Sequence, residues 1–104
     1  MEHISVEELK KRMDAGEKVN LIDCREPHEY AEFNIGATLI PLGRFLTFQV
    51  DELEDLKDQE IIIHCRSGVR SAKACLLLET MGFTQTKNLT GGMLEWQEKF
   101  GAAK

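Results

Sequence analysis

Short apolar runs alternate with stretches of helical spacing along this chain. The strongest run, Ile61-Ile62-Ile63, follows the polar pair Gln59-Glu60 and leads into His64-Cys65-Arg66-Ser67-Gly68-Val69-Arg70-Ser71. Three consecutive β-branched residues predict a strand buried on both faces, as in a parallel sheet. Val69, Ala72, Leu76 and Leu77 then recur at helical spacing, which predicts a helix starting near Val69 or Arg70 and closing at Gly82 as its C-cap.

The same alternation covers the remainder of the chain. Ser5-Val6-Glu7-Glu8 matches a capping box, and Val6, Leu9, Lys10 and Met13 space as a short surface helix ending at Asp14-Ala15-Gly16. Val19-Asn20-Leu21-Ile22-Asp23 reads as a strand, and Pro27 is suited to open a helix at its first turn. Ile35 to Leu42 predicts a short strand halted by Pro41. Leu42 to Leu56 carries an imperfect helical stripe with more bulky residues than one face needs, so part of it is expected to line a pocket wall. Thr84 to Leu89 reads as a last strand, and Thr90-Gly91-Gly92 opens a final helix whose Trp96 packs it onto the sheet. Strand-helix alternation of this kind predicts an α/β fold, a small and mostly parallel sheet of about five strands with helices on both faces.

Length and composition narrow the class. The 104 residues fit a single domain, 1–104, with 42% hydrophobic and 30% charged residues and no apolar run near the ~20 residues of a membrane span. A net charge of −5 with no basic block gives no electrostatic support for a nucleic-acid or membrane partner. The start, Met1-Glu2-His3-Ile4, lacks the basic and apolar regions of a signal peptide, so a cytoplasmic protein is expected. Three cysteines at no metal-like spacing predict neither a disulfide framework nor a metal site. His3 and His28 read as surface residues.

The chemistry gathers at Cys65. A cysteine between strand and helix meets loop amides and the positive end of the helix dipole, with Arg66 and Arg70 close by. Its thiol is expected to ionise below the ~8.5 of a free cysteine, making Cys65 the candidate nucleophile. Gly68 supplies a positive φ that lets the loop, residues 66 to 70, curl into a cradle of N–H donors. Asp23, Cys24 and Arg25 end a strand on what should be the same sheet edge. Arg25 is expected to pair with Glu29 across one helical turn, while Asp23 either holds loop amides or pairs with Arg70 and fixes it. Arg44 reads as a solvated arginine, with extension of the anion-binding surface as the other possibility.

Cys65-Arg66-Ser67-Gly68-Val69-Arg70 resembles the Cys-x-x-Gly-x-Arg loop of the rhodanese family of sulfurtransferases. Asp23-x-Arg25-x-x-x-Glu29-Tyr30, Gly36-Ala37-Thr38-Leu39-Ile40-Pro41 and Gly91-Gly92-x-x-x-Trp96 resemble further signatures of the same family, in the same order. Members often carry Gly-His before the second of these, where this chain has Glu32-Phe33. Related cysteine phosphatases place the arginine six positions after the cysteine, but position 71 here is Ser71, and the smaller ring should favour a terminal sulfur over phosphate. The resemblance implies a thiosulfate sulfurtransferase working through a persulfide on Cys65, with Arg66, Ser67, Gly68, Val69 and Arg70 binding substrate and Asp23 and Arg25 supporting them. It implies a small anionic sulfur donor, a thiophilic acceptor such as cyanide, a thiol or an acceptor protein, and no cofactor. Within it, Cys24 reads as a small buried residue or as a second thiol resolving the persulfide to a disulfide; Cys75 reads as packing.

Overall fold

The computed structural model describes residues 1–101, so the last three positions of the expected domain lie outside the described residues. Five strands form one sheet: β1 (Glu2–Ile4), β2 (Leu21–Asp23), β3 (Thr38–Leu39), β4 (Glu60–His64) and β5 (Gln85–Leu89). Their order across the sheet is β1-β5-β4-β2-β3, and every pairing is parallel. The isoleucine run lies in β4, the central strand, and Ile61, Ile62 and Ile63 are fully buried, as a strand covered on both faces requires. The edge strand β1 was not visible in the sequence. It has only three residues, two of them exposed, and gains its place by pairing Ile4 with Leu89.

Helices cover both faces. α1 (Val6–Asp14) and α5 (Gly92–Phe100) bury Val6, Leu9, Met93 and Trp96 on one side, together with Ile4, Leu21, Ile62 and Leu89 of the sheet. Ser5 caps α1 by accepting from the Glu8 amide at 3.1 Å. Trp96 stacks edge-on against Phe100 at 5.0 Å and holds α5 on the sheet as expected. The other side carries α3 (Leu42–Leu46), a 3-10 turn at Asp51–Leu56 and α4 (Val69–Thr80), which enclose Ile22, Phe45, Leu53, Ile61, Ile63 and Leu78. The stripe expected from Leu42 to Leu56 is therefore two pieces, broken where Phe48 takes a left-handed backbone at φ 57°. α2 (Pro27–Glu32) opens on Pro27 and is closed at its start by a Glu26–Glu29 capping box.

The buried face of α4 differs in phase from the expected one. Ser71, Ala74, Cys75 and Leu78 face the sheet, whereas Val69 and Leu76 are 74% and 51% exposed. Small residues let α4 lie close to β4 and β5, and the polar Ser71 is admitted because it has hydrogen-bond partners there. Gly82, at φ 94°, follows the helix as its left-handed terminator, with the Phe83 amide reaching back to the Leu78 carbonyl at 3.1 Å.

Candidate active site

All five strands run the same way, so the ends of β2 and β4 reach one edge of the sheet together. β4 delivers Cys65 there. Gly68 precedes α4 with φ 100° and ψ −3°, a left-handed conformation that turns the loop amides back toward the sulfur. The Gly68 amide donates to Cys65 Sγ at 3.1 Å, and the Ser71 amide also serves the sulfur. The cradle expected from the amides of residues 66 to 70 is thus aimed at the thiol through positions 68 and 71.

A second layer holds those donors. Ser71 Oγ lies 3.4 Å from Cys65 Sγ and also donates to the side-chain oxygen of Asn88 on β5. One hydroxyl proton serves one acceptor at a time, so the charge on sulfur selects between them. Asn88 in turn donates through Nδ2 to the Gly68 carbonyl at 3.1 Å, tying both ends of the turn to β5. The loop carbonyls face the opposite way. Met93 N donates to Cys65 O at 3.0 Å and Leu94 N to Arg66 O at 2.9 Å, so the free amides of the first turn of α5 grip the loop from behind. Gly92 permits that approach, because a Cβ there would lie 2.6 Å from both Cys65 O and Arg66 O. Ser71 and Asn88 were not among the residues expected at the site. Ser71 carries a signal in retrospect, being one turn into a helix that starts at the loop; Asn88 carries none, since only the β4–β5 pairing brings it here.

The charged residues pair differently from the expectation. Arg70 reaches Glu29 of α2, Nη1 to Oε1 at 2.8 Å and Nη2 to Oε2 at 2.9 Å, and Asp23 is not its partner. Asp23 is held instead by Arg25, Nε to Oδ1 at 3.0 Å and Nη2 to Oδ2 at 2.8 Å, while Arg25 Nη2 also donates to the Phe33 carbonyl. Asp23 and Arg25 are both buried, so their pairing is the less costly outcome: an unpartnered buried carboxylate would lose its hydration with nothing in return. Asp23 does hold a loop amide, that of Arg25 at 2.9 Å. Glu29, freed of Arg25, has a carboxyl lowered to about 2, chiefly by the Arg70 guanidinium. Arg66 and Ser67 are exposed on the loop. A cleft of about 310 Å³ opens beside Arg66, lined by Arg25, Glu29 and Phe33 and by Met93 and Gln97 of α5. Arg44 turns to Glu52 at 2.6 Å, a solvated pair, and the 42–56 segment contributes Phe45, Val50 and Leu53, with the partly buried Leu42 and Leu56, to the core cluster that holds Cys24 and Cys65.

Cys65 is 1% exposed, yet its thiol is lowered to about 4. The adjacent Cys24 thiol contributes most, then the Ser71 hydroxyl and the Ser71 and Gly68 amides, together outweighing the cost of burial. Cys24 is correspondingly pushed far up and keeps its proton. Burial likewise lowers His64 to about 4 and leaves a neutral ring, 3.9 Å from Asp23, that adds no cation to the site. Cys75 sits on α4 beyond this cluster, pushed up to about 12 by burial.

A parallel α/β sheet whose central strand ends in a cysteine wrapped by amides defines a protein built to stabilise a thiolate or an anion on sulfur. The rhodanese-like domain family is matched over residues 5–99, and the chain belongs to that family. It is 36% identical over 93 residues to a sulfurtransferase of Allochromatium vinosum, covering 89% of this chain and 85% of that one. It is 37% identical over 97 residues to YrkF of Bacillus subtilis, which is named as a sulfur carrier protein; 92% of this chain matches 51% of that longer one. Among solved structures, the rhodanese-like domain protein of Staphylococcus aureus superposes with a TM-score of 0.79 at 35% identity, over 92% of this chain and 91% of its own. The sulfurtransferase class is supported by these relatives.

Proposed function

We propose that the protein carries sulfane sulfur from thiosulfate, or a similar small anionic donor, to a thiophilic acceptor such as cyanide or a thiol, through a persulfide on Cys65. The observation that carries this reading is a sulfur lowered to about 4 at the start of α4, facing the Gly68 amide at 3.1 Å. The Cys65 thiolate attacks the outer sulfur of thiosulfate, the S–S bond breaks, and sulfite leaves with the electron pair; the acceptor then takes the outer sulfur and returns the thiolate. The amides of the 66–71 turn hold the anionic persulfide as an oxyanion hole holds developing charge. Arg66 draws in the anionic donor from solvent, and Arg70, pinned by Glu29, sets the electrostatic wall of the loop. Asp23 and Arg25 act as a buried brace beneath it. A reducing compartment such as the cytoplasm keeps such a thiol available.

Intact mass after incubation with thiosulfate tests the reading. The wild type should become heavier by one sulfur and Cys65→Ser should not; a sulfur adduct on Cys65→Ser contradicts the assignment. A second reading, relay of sulfur to or from a protein, draws on the sulfur-carrier name of YrkF. It is favoured if thiosulfate leaves Cys65 unloaded while a sulfur-charged protein partner loads it.

A further inference from the structure

The transfer reaction leaves Cys24 without a task. Asp23 and His64 are in register on the parallel strands β2 and β4, so Cys24 and Cys65 occupy the next rung of that ladder. The Cys24 amide closes the rung by donating to the His64 carbonyl at 3.0 Å. Both side chains point to the same side of the sheet, into the cluster with Ile22, Phe45, Ile63 and Ala74, and both are buried. The two thiols are near enough that each shifts the ionisation of the other, Cys24 upward and Cys65 downward. Neighbouring strands lie about 4.8 Å apart, inside the roughly 4.4–6.8 Å separation of Cα atoms that a disulfide spans.

We propose that Cys24 is a resolving thiol, which attacks the inner sulfur of a Cys65 persulfide, releases hydrosulfide and closes a Cys24–Cys65 disulfide when no acceptor arrives. The step rests on the persulfide reading above and balances without an outside oxidant. The Cys24 S–H bond and the S–S bond of the persulfide break, and the bond between Cys24 Sγ and Cys65 Sγ forms. The outer sulfur leaves with the electron pair and takes the Cys24 proton as hydrosulfide. That sulfur is reduced and the Cys24 sulfur is oxidised, while the Cys65 sulfur exchanges one S–S bond for another. A dithiol reductant reopens the pair by exchange.

The chemistry of the pocket sets the order of events. Cys24 keeps its proton beside the Cys65 anion, so it is a poor nucleophile, and an external acceptor that reaches the outer sulfur wins when present. Cys24 stands beside the inner sulfur whether or not an acceptor arrives, which leaves it as the partner when acceptors are scarce. Packing alone would be met equally by an alkyl side chain at position 24, and it predicts no sulfide.

The test uses the full chain as wild type, Cys24→Ser, which keeps a hydrogen-bond donor, and Cys24→Val, which keeps the packing. Each is reduced, loaded with thiosulfate, freed of excess donor and followed by intact mass and sulfide release. The wild type should pass from a form heavier by one sulfur to one lighter by two hydrogens than the reduced chain, with one equivalent of sulfide. Peptide mapping should then join Cys24 to Cys65 and leave Cys75 free, and dithiothreitol should restore the starting mass. Whichever variants fold should keep the added sulfur, with sulfide release lost. Equal loss of sulfur from wild type and Cys24→Ser, or a wild-type adduct that persists unchanged, overturns the proposal. If thiosulfate loads none of the proteins, the donor reading has failed instead, and loading with inorganic polysulfide decides the Cys24 step by the same masses. Failure of polysulfide to load Cys65 overturns both.

Discussion

Arg70 and Glu29 meet through two parallel N–H to oxygen contacts, 2.8 and 2.9 Å, that tie the first turn of α4 to the first turn of α2. The same Glu29 oxygen also accepts from the Glu26 amide at 2.9 Å, so one carboxylate caps a helix and orients the arginine beside Cys65. Removing its charge while keeping an acceptor separates these roles. Glu29→Gln leaves Arg70 uncompensated next to the site, and KM for a dianionic donor should fall about threefold at low salt, with the gain erased at high salt. Steady-state rates with thiosulfate at two ionic strengths measure this; a KM that rises at both shows that position, not charge, is what Glu29 supplies.

Reactivity of Cys65 should be nearly independent of pH through the neutral range. Because its thiol is lowered to about 4, the thiolate is present at every pH above that value and is lost only as pH falls through it. A free thiol would instead lose reactivity as pH drops below ~8.5. Rates of iodoacetamide modification from pH 4 to 9, with the site identified by peptide mass, give the profile. Reactivity that climbs through pH 8 contradicts the geometry. In Asn88→Leu the Ser71 hydroxyl loses the acceptor that competes with Cys65 Sγ, and the midpoint should move downward; an upward shift shows that Asn88 acts by holding the Gly68 carbonyl.

Gly92→Ala should damage the site without touching substrate. Its Cβ would sit 2.6 Å from the carbonyl oxygens of Cys65 and Arg66, and its φ of 54° is unfavourable for alanine. The loop or α5 must shift, which should cost about 1–3 kcal/mol of stability and reduce the rate of sulfur transfer more than tenfold. Gly43→Ala, where a Cβ meets nothing within 4 Å, is the matched control. Urea unfolding and single-turnover sulfur loading of both variants distinguish local strain from general loss of stability.

The Asp23–Arg25 pair should be a matter of folding more than of chemistry. Both groups are buried, and Asp23→Asn leaves the guanidinium short of its counter-charge. Breaking a buried pair from one side costs on the order of 3 kcal/mol. Denaturant midpoints should therefore drop sharply, while the pH profile of Cys65 alkylation in the folded variant should stay where it was. A displaced profile would place Asp23 in the electrostatics of the thiol.

Local signals were legible in the chain because local physics decides them. Ile61-Ile62-Ile63 has no amphipathic face to expose and is the central strand; Pro27 starts α2 and Gly82 ends α4; Gly68 before Val69 makes the turn that aims amides at Cys65. Composition and order of segments were enough for a parallel sheet clothed by helices. Partner choice was not legible. Arg70 pairs with Glu29, Asp23 with Arg25, and Asn88 clamps the loop, because parallel register and layer packing bring together residues 17 to 41 positions apart or choose among close neighbours. Such pairings are decided by which charges are buried and what they can reach once the sheet has formed. A three-residue edge strand such as β1 depends on the same late event, since it has no pattern of its own and exists only as a partner for β5.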